Sequence, residues 1–261
     1  MPRFRIPNMI EKNTLLQDFQ KIQEDEYFFP YHHVSQFRNG FTQCFNDTWG
    51  INYVATIEYI LQQLKTETFD SLIDVGCGDG RLVGELNIEF PEKNIVGIDY
   101  SQQAINLARI MIPNGTFYDI DITNSSLNKQ FDGGILMEVF EHIPPKNADK
   151  FLEGIASHLK QGAFLYVTVP HINKQVEYKH YRHFSVMTIT DCLNDYFEVT
   201  NVVPFELNSK LKILIDKILT NRLFMLNNTR LKNWIYEFYK NKLFYAQEKT
   251  CKRIFLRTVK R

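Results

Sequence analysis

Apolar residues recur along this chain in two rhythms, and where the rhythm changes the elements change. After Gly50, the positions Tyr53, Ile57, Ile60, Leu61 and Leu64 fall on one helical face. A short apolar run, Leu72-Ile73-Asp74-Val75, follows and reads as a buried strand bounded by glycines. The alternation then repeats: a helix from about 81 to 90, a strand over 94–99, a helix over 102–111, strands over 116–119 and 133–137, a helix over 146–159 and a strand over 163–169. Strands alternating with helices predict a parallel sheet covered on both faces, an α/β doubly wound fold. Further on, 188–193 reads as a helix and 196–205 as a strand. Two amphipathic stretches, around 211–219 and 231–246, precede a last alternating segment, 253–259, which reads as a strand returning to the sheet.

Upstream, residues 11–26 carry Leu15, Leu16, Phe19 and Ile22 at helical spacing, ended by Tyr27-Phe28-Phe29-Pro30-Tyr31. The expected organisation is an N-terminal helical cap over 1–66, a core over 67–206, a basic helical insertion over 207–249 and a final core strand over 250–261. On the insertion, Leu211, Leu214, Ile215 and Ile218 form one stripe and Leu231, Trp234 and Phe238 another, with Lys212, Lys217, Arg222, Arg230, Lys232 and Lys240 on the polar faces. A buried core stripe is the commonest explanation of such a pattern. A lid, a dimer surface and a membrane-surface element are the alternatives.

Composition adds little to this picture until it is divided. Of 261 residues, 44% are hydrophobic and 23% charged, with 30 basic against 30 acidic, as in compact globular proteins. No stretch reaches the roughly 18 consecutive apolar residues of a membrane span, and the first residues lack a signal-peptide apolar region, so a cytoplasmic protein is expected. Cys44, Cys77, Cys192 and Cys251 are too scattered for a disulfide framework or thiolate zinc site. Yet residues 205–261 hold 14 Lys/Arg and 4 Asp/Glu, against 16 and 26 in the rest. Such a tail attracts phosphates, nucleic acid or an anionic membrane, or docks on the acidic body of its own chain.

The best chemical signal is Asp74-Val75-Gly76-Cys77-Gly78-Asp79-Gly80, between a strand and a helix. Glycines there allow a tight turn and a close approach to a ligand, and the following helix offers free N–H groups. A dinucleotide fingerprint requires a third glycine where Arg81 stands, and no Gly-Lys-Ser/Thr follows for a phosphate loop. Asp74 and Asp79 suit instead a cationic ligand with an amino group, whose carboxylate rests on the loop N–H groups. An aminoacyl sulfonium meets both demands. In Gly97-Ile98-Asp99-Tyr100-Ser101, Asp99 stands at the next strand end, 25 residues after Asp74, where a carboxylate holds a ribose diol. At a third strand end, Asp121 is preferred and Asp119 is the alternate for an adenine amino group, with Ile122 against the ring.

With these motifs, and with Phe131-Asp132-Gly133-Gly134-Ile135-Leu136-Met137 and Leu159-Lys160-Gln161-Gly162-Ala163, the chain resembles the class I S-adenosylmethionine-dependent methyltransferases over about residues 70–200. The resemblance implies a seven-stranded, mostly parallel, Rossmann-like sheet with one antiparallel strand, assigned to 253–259. It implies S-adenosyl-L-methionine as cofactor, held by Asp74, Gly76, Cys77, Gly78, Gly80, Asp99, Tyr100, Ser101, Asp119 or Asp121, Ile122 and Met137.

After the fourth strand, Glu138-Val139-Phe140-Glu141-His142 puts two carboxylates and an imidazole at the ligand crevice, and His180-Tyr181-Arg182-His183 follows the fifth. Such residues often only shape the methionine pocket. The pair of clusters is also similar to that of small-RNA 3′-end 2′-O-methyltransferases, which implies Mn or Mg on Glu138, Glu141, His142 and His180, although Lys179 and Tyr181 to Phe184 depart from that family's pattern. Methyl transfer to an alcohol needs a base, for which His142 and His180 lead, with His183 third and Glu141 beside them. An anionic acceptor needs none, and the histidines with Arg182 then hold its charge.

Tyr31, His32 and His33 on the cap, with Tyr178 and Arg182, are the candidate substrate residues. The segment Phe29-Pro30-Tyr31-His32-His33-Val34 with Trp49-Gly50 resembles leaders of methyltransferases from bacterial surface-polysaccharide pathways. Three functions are weighed: O-methylation of a sugar or a nucleotide-activated or phosphorylated precursor in capsule-type glycan biosynthesis; metal-dependent RNA 2′-O-methylation; and non-catalytic S-adenosylmethionine binding as a partner protein. Nucleic acid is the weaker partner, since no RNA-binding module is visible.

Overall fold

A computed structural model describes residues 35–36, 41–43, 50–220, 224 and 226–261. The expected helix over 11–26, the aromatic run after it, and Tyr31, His32, His33, Cys44 and Trp49 lie outside the described residues.

Seven strands form one sheet: β1 (Ser71–Val75), β2 (Asn94–Asp99), β3 (Thr116–Asp119), β4 (Phe131–Met137), β5 (Leu159–Pro170), β6 (Phe197–Leu207) and β7 (Cys251–Lys260). Their spatial order is β3-β2-β1-β4-β5-β7-β6. Neighbours from β3 to β5 are parallel, and β7 runs antiparallel between β5 and β6. The seven-stranded, mostly parallel sheet with one reversed strand is thus as the sequence led one to expect. The central strands are apolar on both sides because helices cover both faces. β1 meets β2 and β4 with Asp74 opposite Gly97 and Ile135. Gly133 of β4 is needed there because a Cβ would lie 2.1 Å from the Phe164 ring of β5.

On one face pack α1 (Gly50–Leu64), α2 (Arg81–Glu89) and α3 (Gln102–Met111); on the other, α4 (Ala148–Ser157) and α5 (Val186–Leu193). The insertion between β6 and β7 holds α6 (Lys210–Leu219) and α7 (Thr229–Lys242). Helix α7 ends about four residues before the periodicity predicts, because Leu243 and Phe244 turn into the core.

Two expectations for the insertion are corrected. It is bolted to α1: the Tyr239 hydroxyl donates to Asn52 Oδ1 at 2.7 Å, the Tyr236 hydroxyl to Glu58 Oε2 at 2.6 Å, and Lys240 Nζ reaches Glu58 Oε1 at 3.0 Å. The stripe that enters the core is Ile235, Tyr236 and Tyr239, with Ile215 from α6. Of the sequence's candidate core residues, Leu211, Leu214, Leu231 and Trp234 are exposed. Hydrophobic spacing alone gives two overlapping stripes on α7, and attachment to α1 selects between them. Lys212, expected on the solvated face, is only 2% exposed.

Candidate active site

The loop after β1 is built by local bonds. Gly76 and Cys77 both donate their N–H to the Ile98 carbonyl of β2, at 2.8 and 2.9 Å, which ties the loop to the adjacent strand end. Gly76 has φ +74°, and a Cβ there would lie 2.5 Å from Val139 Cγ2; both features demand glycine. Gly80, with φ +81°, turns the chain into α2. Arg81, where a dinucleotide fingerprint has glycine, is buried and pairs with Glu85 at 3.1 Å.

Asp99 Oδ2 accepts from the Gly78 N–H at 3.0 Å and Oδ1 from the Ser101 N–H at 2.9 Å. Both oxygens are thereby held in fixed positions. Ser101 caps α3, its Oγ accepting from Ala104 N at 3.2 Å. Asp74 is buried; desolvation first, and the Asp99 charge second, push its carboxyl up to about 8. A positive ligand opposite it would reverse that shift.

These groups line a cavity of about 470 Å³ at the carboxyl ends of the parallel strands. Asp74, Gly76, Cys77, Gly78, Asp99, Tyr100, Asp121, Ile122 and Met137 line it. Gly80, Ser101 and Asp119 do not; Asp119 is exposed and lies 3.7 Å from Arg109 instead. Asp121 spends both oxygens on its own turn: Oδ1 accepts from Thr123 N and Thr123 Oγ1 at 2.9 and 2.7 Å, and Oδ2 from Asn124 Nδ2 at 2.7 Å.

Beyond the acidic end, the two polar clusters meet, joined by the Tyr181 N–H donating to the Glu141 carbonyl at 2.9 Å. Atoms from Glu141, His142 and His180 lie within 4.8 Å of one another, and the two imidazoles stand edge to face with centroids 4.7 Å apart. Backbone carbonyls fix the tautomers, because a carbonyl can only accept. His183 Nδ1 donates to Lys174 O at 2.9 Å, leaving His183 Nε2 to accept from His180 Nδ1 at 2.8 Å. His142 Nδ1 donates to Lys179 O at 3.2 Å. The Nε2 atoms of His142 and His180 are thereby lone-pair acceptors. Burial, with Lys179 second, lowers His142 to about 4; burial also lowers His180, with His142 and His183 adding to it. Glu141 is 1% exposed, Oε2 has no hydrogen-bond partner, and burial raises its carboxyl well above the usual range.

Other sequence candidates stand elsewhere. Glu138 leaves the cluster: at φ +55°, its Oε2 accepts from Arg253 Nε at 2.7 Å and its Oε1 from Thr168 Oγ1 at 3.1 Å. Arg253, from β7, also donates to Glu206, itself at φ +60°. His183 supports His180 from behind the wall. Arg182 lies over Phe140 and Phe184, at 5.2 and 5.1 Å from the ring centroids, and Tyr178 is exposed; neither lines the cavity. The sequence reading missed Lys174, Glu177, Glu206, Lys212, Lys252 and Arg253, which form the far wall. Only the basic excess after residue 205 hinted at three of them.

Residues 72–162 match the methyltransferase domain family. A putative methyltransferase of Invertebrate iridescent virus 6 is 28% identical over 145 residues, covering 52% of this chain and 54% of that protein. The small RNA 2′-O-methyltransferase of Arabidopsis thaliana is 29% identical over 39% of this chain and 12% of its own. The chain thus spans about half the length of the viral relative. Among solved structures, the N-methyltransferase NodS of Bradyrhizobium japonicum with S-adenosyl-L-homocysteine superposes with a TM-score of 0.55 at 14% identity, covering 82% of this chain and 88% of its own. The magnesium protoporphyrin IX methyltransferase of Synechocystis with bound S-adenosylmethionine gives 0.57 at 15% identity, covering 98% and 100%. Residues 72–162 thus resemble a methyltransferase domain, and the chain shares the fold of these solved methyltransferases.

Proposed function

We propose that the chain moves the sulfonium methyl of S-adenosylmethionine to a hydroxyl of a small acceptor, a sugar or a nucleotide-activated or phosphorylated precursor of the kind used in surface-glycan synthesis. The observation that carries the O-methylation reading is the pair of neutral imidazoles whose Nε2 lone pairs face the cavity between the acidic cofactor end and the lysine-rich wall. In this reading Asp74 holds the cofactor ammonium and Asp99 its ribose, while the N–H groups of Gly76, Cys77 and Gly78, expected for the cofactor carboxylate, are already spent on Ile98 and Asp99. Transfer is an in-line displacement, so the protein's main work is alignment. The O–CH₃ bond forms as S–CH₃ breaks, leaving a neutral thioether, and the hydroxyl proton passes to Nε2 of His142 or His180. Lys252 offers a phosphorylated acceptor positive charge, while Lys174 is already paired with Glu177.

A second reading rests on the same cluster. Glu141, His142 and His180 bring one carboxylate and two imidazoles together, a nitrogen-rich set, once Glu138 has gone to Arg253, that suits Mn better than Mg. Such a cation would polarise an acceptor hydroxyl and ease loss of its proton. Together with the likeness to the Arabidopsis small RNA 2′-O-methyltransferase, this makes an RNA ribose hydroxyl the competing acceptor.

The test is transfer of labelled methyl from S-adenosylmethionine into separated metabolite, glycan and RNA fractions, with Mg or Mn and with EDTA. Label in metabolites or glycans supports the first reading, and EDTA sensitivity adds the cation. Label in RNA alone replaces it. Cofactor binding with no label in any fraction would favour the non-catalytic partner.

A further inference from the structure

The outer face of the α6–α7 insertion combines two properties that rarely coincide on a solvated surface. Six of the exposed large apolar side chains among the described residues fall within 211–234: Leu211, Ile213, Leu214, Phe224, Leu231 and Trp234. Basic residues interleave with them. On α6, Lys210 and Lys217 are exposed beside Leu211, Ile213 and Leu214, while the helix's one acid, Asp216, is turned inward to Lys212 at 2.7 Å. On α7, Arg230 and Lys242 flank the outward Leu231 and Trp234, and the exposed Glu237 pairs with Lys240 at 2.8 Å. The core is already supplied by the opposite stripe, Ile215, Ile235, Tyr236 and Tyr239, so these outward residues are not needed for folding.

We propose that this face is a docking surface for an anionic lipid bilayer, on which α6 and α7 lie in the headgroup plane. Aliphatic side chains and a tryptophan enter the headgroup boundary, while lysine and arginine stems reach back to lipid phosphates. Charge decides among occupants. A second copy of the same face would set cations against cations, and an RNA could stack only on Phe224 and Trp234 and would have no use for the four exposed aliphatic residues, Leu211, Ile213, Leu214 and Leu231. An anionic bilayer satisfies both the apolar and the basic residues. The inward side of α6 supplies Lys212 and Asp216 to the cavity wall, so docking would hold the acceptor end of the site beside the membrane. No described helix is long and apolar enough to cross a bilayer, and the contact is therefore peripheral.

The test uses the full chain in a Trp49→Phe background, which leaves Trp234 as the one tryptophan. Vesicles of phosphatidylcholine with one-third phosphatidylglycerol should sediment the protein and shift Trp234 fluorescence to the blue, whereas pure phosphatidylcholine should do so about tenfold less well or worse. Lys210→Glu with Lys217→Glu, and separately Leu211→Ser with Leu214→Ser, should each weaken anionic-vesicle binding about tenfold or more. None of the four lines the cavity, so affinity for S-adenosylhomocysteine should stay unchanged and report intact folding. Equal binding to both vesicle types, or anionic binding indifferent to both double variants, would overturn the proposal. So would light scattering showing a dimer that the serine variants dissociate, or RNA binding lost in the charge-reversed variant while vesicles are ignored.

Discussion

Replacing Asp74 with Asn tests the cofactor site through its electrostatics. The Asp74 carboxyl moves from an ordinary 3.8 to about 8 in the folded protein, through burial first and Asp99 second. Between those values the folded chain holds a proton that the unfolded chain has released. Stability from this group is therefore complete below about pH 4 and is lost as pH rises through about 8. At roughly 1.4 kcal/mol per unit, the loss across the window is about 6 kcal/mol. Asp74→Asn removes this titration while keeping shape. Urea unfolding followed by circular dichroism should find variant and wild type similar near pH 4.5. The variant should pull ahead by several kcal/mol near pH 8.5. Taking the difference isolates Asp74 from Glu141, whose raised carboxyl gives the wild type a slope of the same sign. The same substitution should weaken S-adenosylmethionine binding by about ten- to a hundredfold, the worth of one charge-assisted hydrogen bond. A stability difference that does not change with pH would refute the reasoning.

Further outcomes follow from other particular contacts. Arg253→Met leaves the carboxylates of Glu138 and Glu206 without their shared guanidinium and should cost about 3–5 kcal/mol in denaturant unfolding, reduced when Glu206→Gln is added. Gly76→Ala puts a methyl against Val139 at φ +74° and should destabilise the loop by about 1–3 kcal/mol, with Val139→Ala restoring part of the cofactor affinity by calorimetry. His180→Leu and His142→Leu should each lower methyl transfer by about 10²–10⁴-fold with cofactor affinity within twofold of wild type. His183→Gln, whose amide can accept from His180 and donate to Lys174, should retain more transfer than His183→Leu in the same assay.

Much of the fold was written locally. Each buried strand of the parallel core carries its own apolar run, and each strand-end loop carries its glycines, so β1 to β5 and the Asp74–Gly80 turn could be read in order. The last strand was legible from alternation, and its reversed direction from the resemblance. Asp99 stands where the strand spacing puts it because its partners, Gly78 and Ser101, are neighbours in the motifs themselves.

What the sequence could not decide lies in contacts between distant segments. Glu138, Glu141 and His142 are adjacent in the chain and look like one cluster, yet Arg253, 115 residues from Glu138, draws that carboxylate away while His180 joins the other two. The tautomers of His142 and His180 depend on carbonyls in a loop that only the packed β4 and β5 ends bring near. On the insertion, periodicity offered several apolar stripes, and the bonds from Tyr236 and Tyr239 to α1 determined which one is buried. Periodicity and turn chemistry act over a few residues and are visible one segment at a time; the pairing of charges, the direction of a lone pair and the face a helix buries belong to surfaces that exist only once the sheet has assembled.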